Sequence, residues 1–299
     1  MDKLILSSYA KLNLSLLVLK KRSDGYHSIK TLFERISLCD KIALKSRRDS
    51  EIRGSSGSPF LPKDQTKNLA YRAARLLQSS YAPGRGADIR IIKRIPVGAG
   101  LGGGSSNAAT VLLGLNKLWG LRLGKTALHR LAARLGSDVA FFLCEAPFAL
   151  GENKGDKIKG LKRLNNIRLW HILIVPRIHV STPAIYKGWD KIAYTGKIAG
   201  LTRHLSDAKM LILAVKKKDL SLIAPRMFNS LQQVTAKAYP AVGLIIKYLN
   251  RLGLKAVLMS GSGPAVFAVV SSRKEAASLG RRLKAAHRQH RVFVVQTMM

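Results

Sequence analysis

Three short segments of this 299-residue chain carry side chains whose types and spacing suit phosphate chemistry. The densest is Pro96-Val97-Gly98-Ala99-Gly100-Leu101-Gly102-Gly103-Gly104-Ser105-Ser106. Glycine lets a backbone approach a ligand closely and take left-handed angles. The turn lies between a strand-like stretch, Asp88 to Ile95, and an amphipathic helical stretch from about Ser105 to Trp119. A helix start offers free N–H groups and the positive end of the helix dipole, so turn and helix together form an anion site. Ser105 and Ser106 stand where a hydroxyl caps the helix, touches a phosphate or serves a metal. A P-loop is excluded, because no Gly-Lys-Ser/Thr follows. Gly98, Gly100 and Gly103 satisfy G-x-G-x-x-G, but a dinucleotide site needs an acid about 20 residues later for the ribose hydroxyls. Neither Asp nor Glu occurs between Ile89 and Ser137, which argues against NAD.

The second and third candidates are single charges. With only 16 acids in the chain, the place of each is informative. Asp138 follows Leu135-Gly136, the stop of a helix that Thr126 would cap, and precedes the apolar run Val139 to Leu143. A carboxylate against such a run suits a desolvated base. Asp also favours helix N-caps, so the local sequence leaves both roles open. Lys11 sits in the apolar strand Tyr9-Ala10-Lys11-Leu12-Asn13-Leu14. Alternation puts Lys11, Asn13 and Ser15 on one face, which is either a site wall or a solvated outer face. The seven histidines show no metal spacing, and no G-x-S-x-G elbow occurs. Cys39 and Cys144 make neither a disulfide framework nor a zinc cluster, and both read as small core residues in a reducing compartment.

These groups need elements to hold them. Leu4–Leu6 and Leu12–Leu16 read as two strands, with a turn at Ser23-Asp24-Gly25-Tyr26. Ile29 to Lys45 is strand-rich, and Arg53 to Asp64 is a loop dense in Gly, Ser and Pro. Asn68 to Ser79 is a helix, with Leu69, Ala73, Leu76 and Leu77 on one face. Ser181-Thr182-Pro183 starts another helix, Lys274 to His290 forms a further one, and Val292 to Val295 is a closing strand. The mixture is α/β or α+β, with a junction near Gly151–Gly160. Hydrophobic residues make up 47%, enough for the cores of two ordinary domains, and global disorder is excluded. No apolar run reaches the ~18 residues that span a bilayer, and the N-terminus lacks a signal-peptide pattern, so a cytoplasmic protein is expected. The net charge is +36, from 52 Lys and Arg against those 16 acids. Such a field attracts polyanions, yet the cations are dispersed and no basic run is interleaved with aromatics.

Three separated segments then resemble one pattern. Ala10 to Leu14, Pro96 to Ala109, and Leu258-Met259-Ser260-Gly261-Ser262-Gly263-Pro264 are similar, in order and spacing, to the three motifs of the GHMP kinases. These are the galactokinase, homoserine, mevalonate and phosphomevalonate kinases. Arg22-Ser23-Asp24-Gly25-Tyr26-His27, Thr31-Leu32-Phe33, Leu135 to Val139 with Phe141-Phe142, and Phe228-Asn229-Ser230-Leu231 resemble the branch that acts on a cytidylyl-linked methylerythritol. The resemblance runs from about residue 4 to 295.

It implies an α+β, two-lobed GHMP kinase fold. A lobe like ribosomal protein S5 domain 2, residues 1–155, would bind nucleotide, and a ferredoxin-like lobe, residues 156–299, would close the cleft. It also implies ATP and Mg²⁺ as cofactors, and phosphoryl transfer to the 2-hydroxyl of the erythritol part. Asp138 would be the base with Lys11 beside it, and Asn13 would help hold the substrate. Tyr26 and His27 would receive the cytosine, while Thr182 and Gly261 would complete the substrate side. Pro96, Gly98, Ala99, Gly100, Leu101, Gly102, Gly103, Gly104, Ser105 and Ser106 would cradle the phosphates, with Asn68 near the adenine. No magnesium ligand is assigned, and the chain would act as a monomer or homodimer away from membranes. Departures from the pattern are Lys67 before Asn68, Gln232 in place of an acid, and the loosened Gly151-Glu152-Asn153-Lys154-Gly155. Rival readings are a GHMP kinase for mevalonate or homoserine, a nucleic-acid binder drawing on the +36 charge, and a paralogue that binds ATP without turnover.

Overall fold

The computed structural model describes residues 3–56, 64–194 and 201–298. β1 (Lys3–Lys21) and β2 (His27–Arg47) form one long antiparallel ribbon. The two strands expected over Leu4–Leu6 and Leu12–Leu16 are thus parts of one, because no Gly or Pro interrupts the stretch between them. The Asp24-Gly25 pair closes the ribbon, with Gly25 at φ +82°. Register shifts fall between Tyr9 and Ala10 and between Asn13 and Ser15. A bulge adds a residue to one strand and re-aims the side chains that follow. Leu12 and Leu14 therefore enter a core while Lys11 and Asn13 face a cleft, but beyond the second shift Leu16 takes the cleft side. Ser15 instead accepts the Leu32 N–H at 3.2 Å, so the expected Lys11–Asn13–Ser15 face ends at Asn13.

β3 (Ile52–Ser56) runs parallel to β4 (Gly86–Ile92), which pairs with β2. The expected loop from Arg53 is therefore strand through Ser56, and residues 57–63 lie outside the described residues. α1 (Leu69–Tyr81) starts at Asn68, whose Oδ1 accepts the Ala70 N–H at 3.0 Å. α2 (Gly103–Leu118), α3 (Lys125–Leu135) and the single turn α4 (Val139–Leu143) follow. α3 is capped at Gly124, which leaves Thr126 inside the first turn rather than at the cap. Ala73, Leu77, Val111, Leu112 and Phe141 bring these helices onto one face of the sheet in a solvent-free core. β5 (Phe148–Glu152) pairs with β2, and β6 (Lys157–Gly160) pairs with β5. The expected junction at 155/156 falls in the turn of this hairpin, so the first sheet continues through Gly160.

The second sheet has β7 (Trp170–Pro176), β9 (Val257–Met259), β10 (Val266–Val270) and β11 (His290–Gln296) in the order β11-β7-β10-β9, with every pair antiparallel. Between β7 and β9 come α5 (Thr182–Tyr194), α6 (Leu201–Lys217), α7 (Leu220–Ile223), β8 (Phe228–Asn229), α8 (Gln232–Ala238) and α9 (Pro240–Arg251). α10 (Arg273–Ala286) joins β10 to β11 and ends before His290, which opens the strand opposite Pro176 instead of closing the helix. Strand order and crossovers follow the β-α-β-β-α-β course of the ferredoxin-like lobe. Leu12, Leu32 and Ile36 of the first sheet meet Leu173, Phe267 and Val269 of the second in a shared core. Helices cover both outer faces, so the layers run helix, sheet, sheet, helix. β8 crosses between the sheets and pairs parallel with β1 at Ser15 and Leu16. Among the described residues no helix is long and apolar enough to cross a membrane.

Candidate active site

The glycine turn is held in left-handed conformations at Gly98, Gly100 and Gly102, with φ of +66°, +75° and +67°. α2 begins at Gly103, two residues before the expected start, and Gly102 occupies the cap position without a side-chain bond. The N–H groups of its first turn have no intrahelical acceptor. Ser105 lies in that turn and lines the cleft. Ser106 turns the other way. It is 1% exposed, and its hydroxyl accepts from Ser8 Oγ at 2.7 Å. Asn107 donates to Ser8 Oγ at 2.8 Å and to Asp40 Oδ2 at 2.9 Å. Asp40 has no exposed surface, pairs with the Lys93 ammonium, and accepts the N–H groups of Arg94 and Ile95 at 2.7 and 2.9 Å. This network ties the approach to the glycine turn to the first turns of α2, and it takes Ser106 out of reach of a ligand.

The third glycine motif touches the second directly. A Cβ on Gly100 would lie 2.2 Å from the Ser260 carbonyl oxygen. Ser260 Oγ donates to the Gly100 carbonyl at 3.0 Å, and the Ala265 N–H donates to the Ala99 carbonyl at 3.3 Å. Buried Asn229 donates to the Met259 and Gly261 carbonyls, both at 2.8 Å. Gln232 Oε1 accepts the Met259 N–H at 2.9 Å, so glutamine supplies the acceptor that an acid there would supply. Thr182 Oγ1 lies 2.7 Å from Ser262 Oγ.

Lys11 joins the ribbon to this assembly. Its N–H donates to the Leu101 carbonyl at 3.0 Å, and its side chain is 4% exposed, which rules out a solvated outer face. Nζ donates to Asn13 Oδ1 at 2.6 Å, lies 3.4 Å from Asp138 Oδ2, and sits 5.3 Å above the Phe33 ring. Asn13 donates in turn to Thr31 Oγ1 at 2.8 Å. Asp138 occupies the N-cap position of α4 but makes no capping bond. Its carboxylate faces Lys11 instead and keeps 30% of its side chain exposed to the cleft, and a carboxylate beside a buried ammonium and an anion cradle can handle a hydroxyl proton.

The cleft has a volume of about 610 Å³. At its other end Tyr26 is 59% exposed, with Lys154 Nζ 5.0 Å over its ring. His27 is buried, and its Nε2 lies 2.5 Å from Asp190 Oδ1. The His27 ring stacks on Tyr186 with centroids 5.1 Å apart and meets Trp189 edge-on at 5.5 Å. Burial, with a further contribution from the Asp138 charge, pushes the Tyr186 phenol above the ordinary tyrosine range.

Of the residues singled out in the sequence, Lys11, Asn13, Tyr26, His27, Gly100, Gly102, Ser105, Asp138, Thr182 and Gly261 line this one cleft. Ala99 and Leu101 are buried and contribute only backbone, and Asn68 uses its carboxamide to cap α1. Pro96, Gly98, Gly103 and Gly104 lie along the same turn without lining the cleft. Tyr186, Asp190 and Lys154 escaped the reading of the sequence. The first two follow Thr182 at steps of four on α5, a spacing that puts all three on one helix face. Lys154 belongs to the loosened glycine element, whose tip reaches the Asp24 turn.

Comparison with known proteins shows the family. Residues 68–146 match the GHMP kinases N terminal domain, and residues 211–289 match the GHMP kinases C terminal domain. The chain is 42% identical over 261 residues to a 4-diphosphocytidyl-2-C-methyl-D-erythritol kinase of Bacillus subtilis (strain 168), covering 87% of this chain and 86% of the relative. It is 38% identical over 289 residues to a kinase of the same name from Alkaliphilus metalliredigens (strain QYMF), covering 97% and 95%. A crystal structure of 4-(cytidine 5'-diphospho)-2C-methyl-D-erythritol kinase superposes with a TM-score of 0.79 at 30% identity, covering 99% of this chain and 100% of that one. The chain belongs to the GHMP kinase family, in the branch formed by these 4-diphosphocytidyl-2-C-methyl-D-erythritol kinases.

Proposed function

We propose that this chain transfers the γ-phosphoryl group of ATP to the 2-hydroxyl of 4-diphosphocytidyl-2-C-methyl-D-erythritol, in the non-mevalonate route to isoprenoid precursors. The observation that carries the reading is the meeting of the Lys11–Asp138 pair and the glycine turn in one cleft whose other end holds Tyr26 and His27. Charge and base recognition sit at opposite ends, as an elongated cytidylyl alcohol requires. Lys11, Lys21, Lys154 and Lys187 line the same cleft and suit its diphosphate.

Phosphoryl transfer rests on positioning and on neutralising developing charge. The N-terminal end of α2, which Gly102 and Ser105 bring to the cleft, offers its dipole and backbone amides to the transferred group. Asp138 accepts the hydroxyl proton, and Lys11 balances the carboxylate and the nascent alkoxide. Asn13, fixed by Lys11 and Thr31, orients the acceptor. Tyr26 supplies a ring face for cytosine, and Asp190 fixes the His27 imidazole that reads its edge. Among the described residues no three His, Cys, Asp or Glu side chains converge as a metal site. Mg²⁺ would be carried mainly by nucleotide phosphates and water, and Asp138 and Ser105, which line the cleft, are the protein oxygens that would help hold it. Bound there, the ion would neutralise phosphate charge.

The test is ADP release by purified protein given ATP, Mg²⁺ and the cytidylyl alcohol, with mevalonate and homoserine as alternatives. Turnover with the cytidylyl alcohol alone is expected. Turnover with either alternative in its place would overturn the assignment.

A further inference from the structure

A second groove lies against α10 and the ends of β7 and β11. Its volume of about 590 Å³ is close to that of the catalytic cleft, and the two share no lining residue. Arg168, Arg273, Arg281 and Lys284 surround it, and neither Asp nor Glu lines it. Among the described residues none of the four meets a carboxylate. Arg273, Arg281 and Lys284 recur on α10 at steps of eight and three, which aligns them along one helix face. Gly280 lets that helix close on β11, since a Cβ there would lie 2.5 Å from Val294 Cγ2. Trp170 is half-buried and lines the groove together with the cations.

Four like charges around one concavity repel each other and raise the local anion concentration. Guanidinium groups grip phosphate oxygens in pairs, and an indole accepts a base by stacking. A nucleic-acid strand needs a succession of aromatic platforms, whereas this groove has one. We propose that it is a second ligand site, for a nucleoside polyphosphate, with the phosphates among Arg273, Arg281, Lys284 and Arg168 and the base against Trp170.

In a chain of net charge +36 the control must match charge. Binding of a fluorescent, methylanthraniloyl-labelled ADP is counted by equilibrium dialysis for three proteins. These are wild type, the triple variant Arg273→Ala/Arg281→Ala/Lys284→Ala, and the triple variant Lys216→Ala/Lys217→Ala/Lys218→Ala, which removes as many charges from an exposed helix end. The α10 variant is expected to bind one equivalent fewer than wild type, while the α6 variant matches wild type. The equivalents that the α10 variant retains also report that it is folded. Trp170→Ala is expected to weaken the lost equivalent by about tenfold, the scale of one stacked base. Equal loss in both triple variants, or none in the α10 variant, would mean a diffuse field and no site. An unchanged affinity in Trp170→Ala would remove the nucleotide assignment. Displacement by single-stranded oligonucleotides that strengthens with their length would replace the nucleotide by a nucleic-acid surface.

Discussion

Replacing Gly100 by alanine should disable the phosphate cradle while leaving the fold largely intact. Two effects separate cleanly. An L-residue in the left-handed region costs about 1–2 kcal/mol, and Gly100 sits there at φ +75°. The added Cβ would also stand 2.2 Å from the Ser260 carbonyl oxygen and 3.1 Å from that of Gly263, both backbone atoms that cannot swing aside. Ordinary contact needs the two glycine motifs to part by about 1 Å. A misplacement of that size at a reacting centre costs about 10²-fold in rate. Gly253 provides the control, with φ +84° and open space within 4 Å of where an added Cβ would stand. Gly253→Ala should therefore lose the same 1–2 kcal/mol of stability and keep its turnover. The assay is ADP release at saturating cytidylyl alcohol, alongside urea unfolding of both variants. If Gly100→Ala turns over within about threefold of wild type, the close approach of the two motifs does not position the phosphates.

Asp138→Asn should lower kcat by about 10²–10⁴-fold with nucleotide binding intact; turnover near wild type would take the base role from Asp138. Tyr26→Ala should raise KM for the cytidylyl alcohol by about tenfold, the scale of one stacked base, and leave KM for ATP alone. Equal rises for both substrates would place Tyr26 outside base recognition. The raised phenol of Tyr186 gives a pH signature. Its stabilising contribution is complete below the unfolded value of about 10 and is lost as pH rises through the higher folded value. Urea midpoints should therefore fall more steeply above about pH 10 in wild type than in Tyr186→Phe, and parallel curves would assign the alkaline loss to other groups.

Much of the site was legible because its chemistry is local. The glycine turn announces itself by residue type, and the three motifs converge as their order implied. What escaped the sequence depends on contacts between distant segments. Whether Asp138 capped α4 or faced Lys11 could not be read from either segment, since 127 positions of chain separate the pair. Ser106 reads like a second phosphate hydroxyl until Ser8, from the chain's first strand, claims it. Thr126 looked like a cap because Gly124, which takes that place, has no side chain to advertise it. The strand at Ile52–Ser56 was hidden by Gly54 and two serines, residues that a parallel partner such as β4 can recruit without strong propensity. Tyr186 and Asp190 were visible only as a helical period, and a period alone does not say which face meets a ligand.

The first two of the three register shifts in the β1–β2 ribbon have a consequence for how such a chain can vary. In an unbroken ribbon, a one-residue insertion or deletion inverts every side chain beyond it. Here the stretch from Ala10 to Asn13 lies between a place where the pairing skips two residues of β2 and a place where it skips one residue of β1. Length changes outside that bracket can be taken up by enlarging or erasing a bulge, so Lys11 and Asn13 keep their phase. A change of length inside it has no such buffer and would send both side chains into the leucine core between the sheets. Descendants of this gene should therefore accumulate insertions and deletions toward the ribbon's ends and tolerate almost none in those four positions.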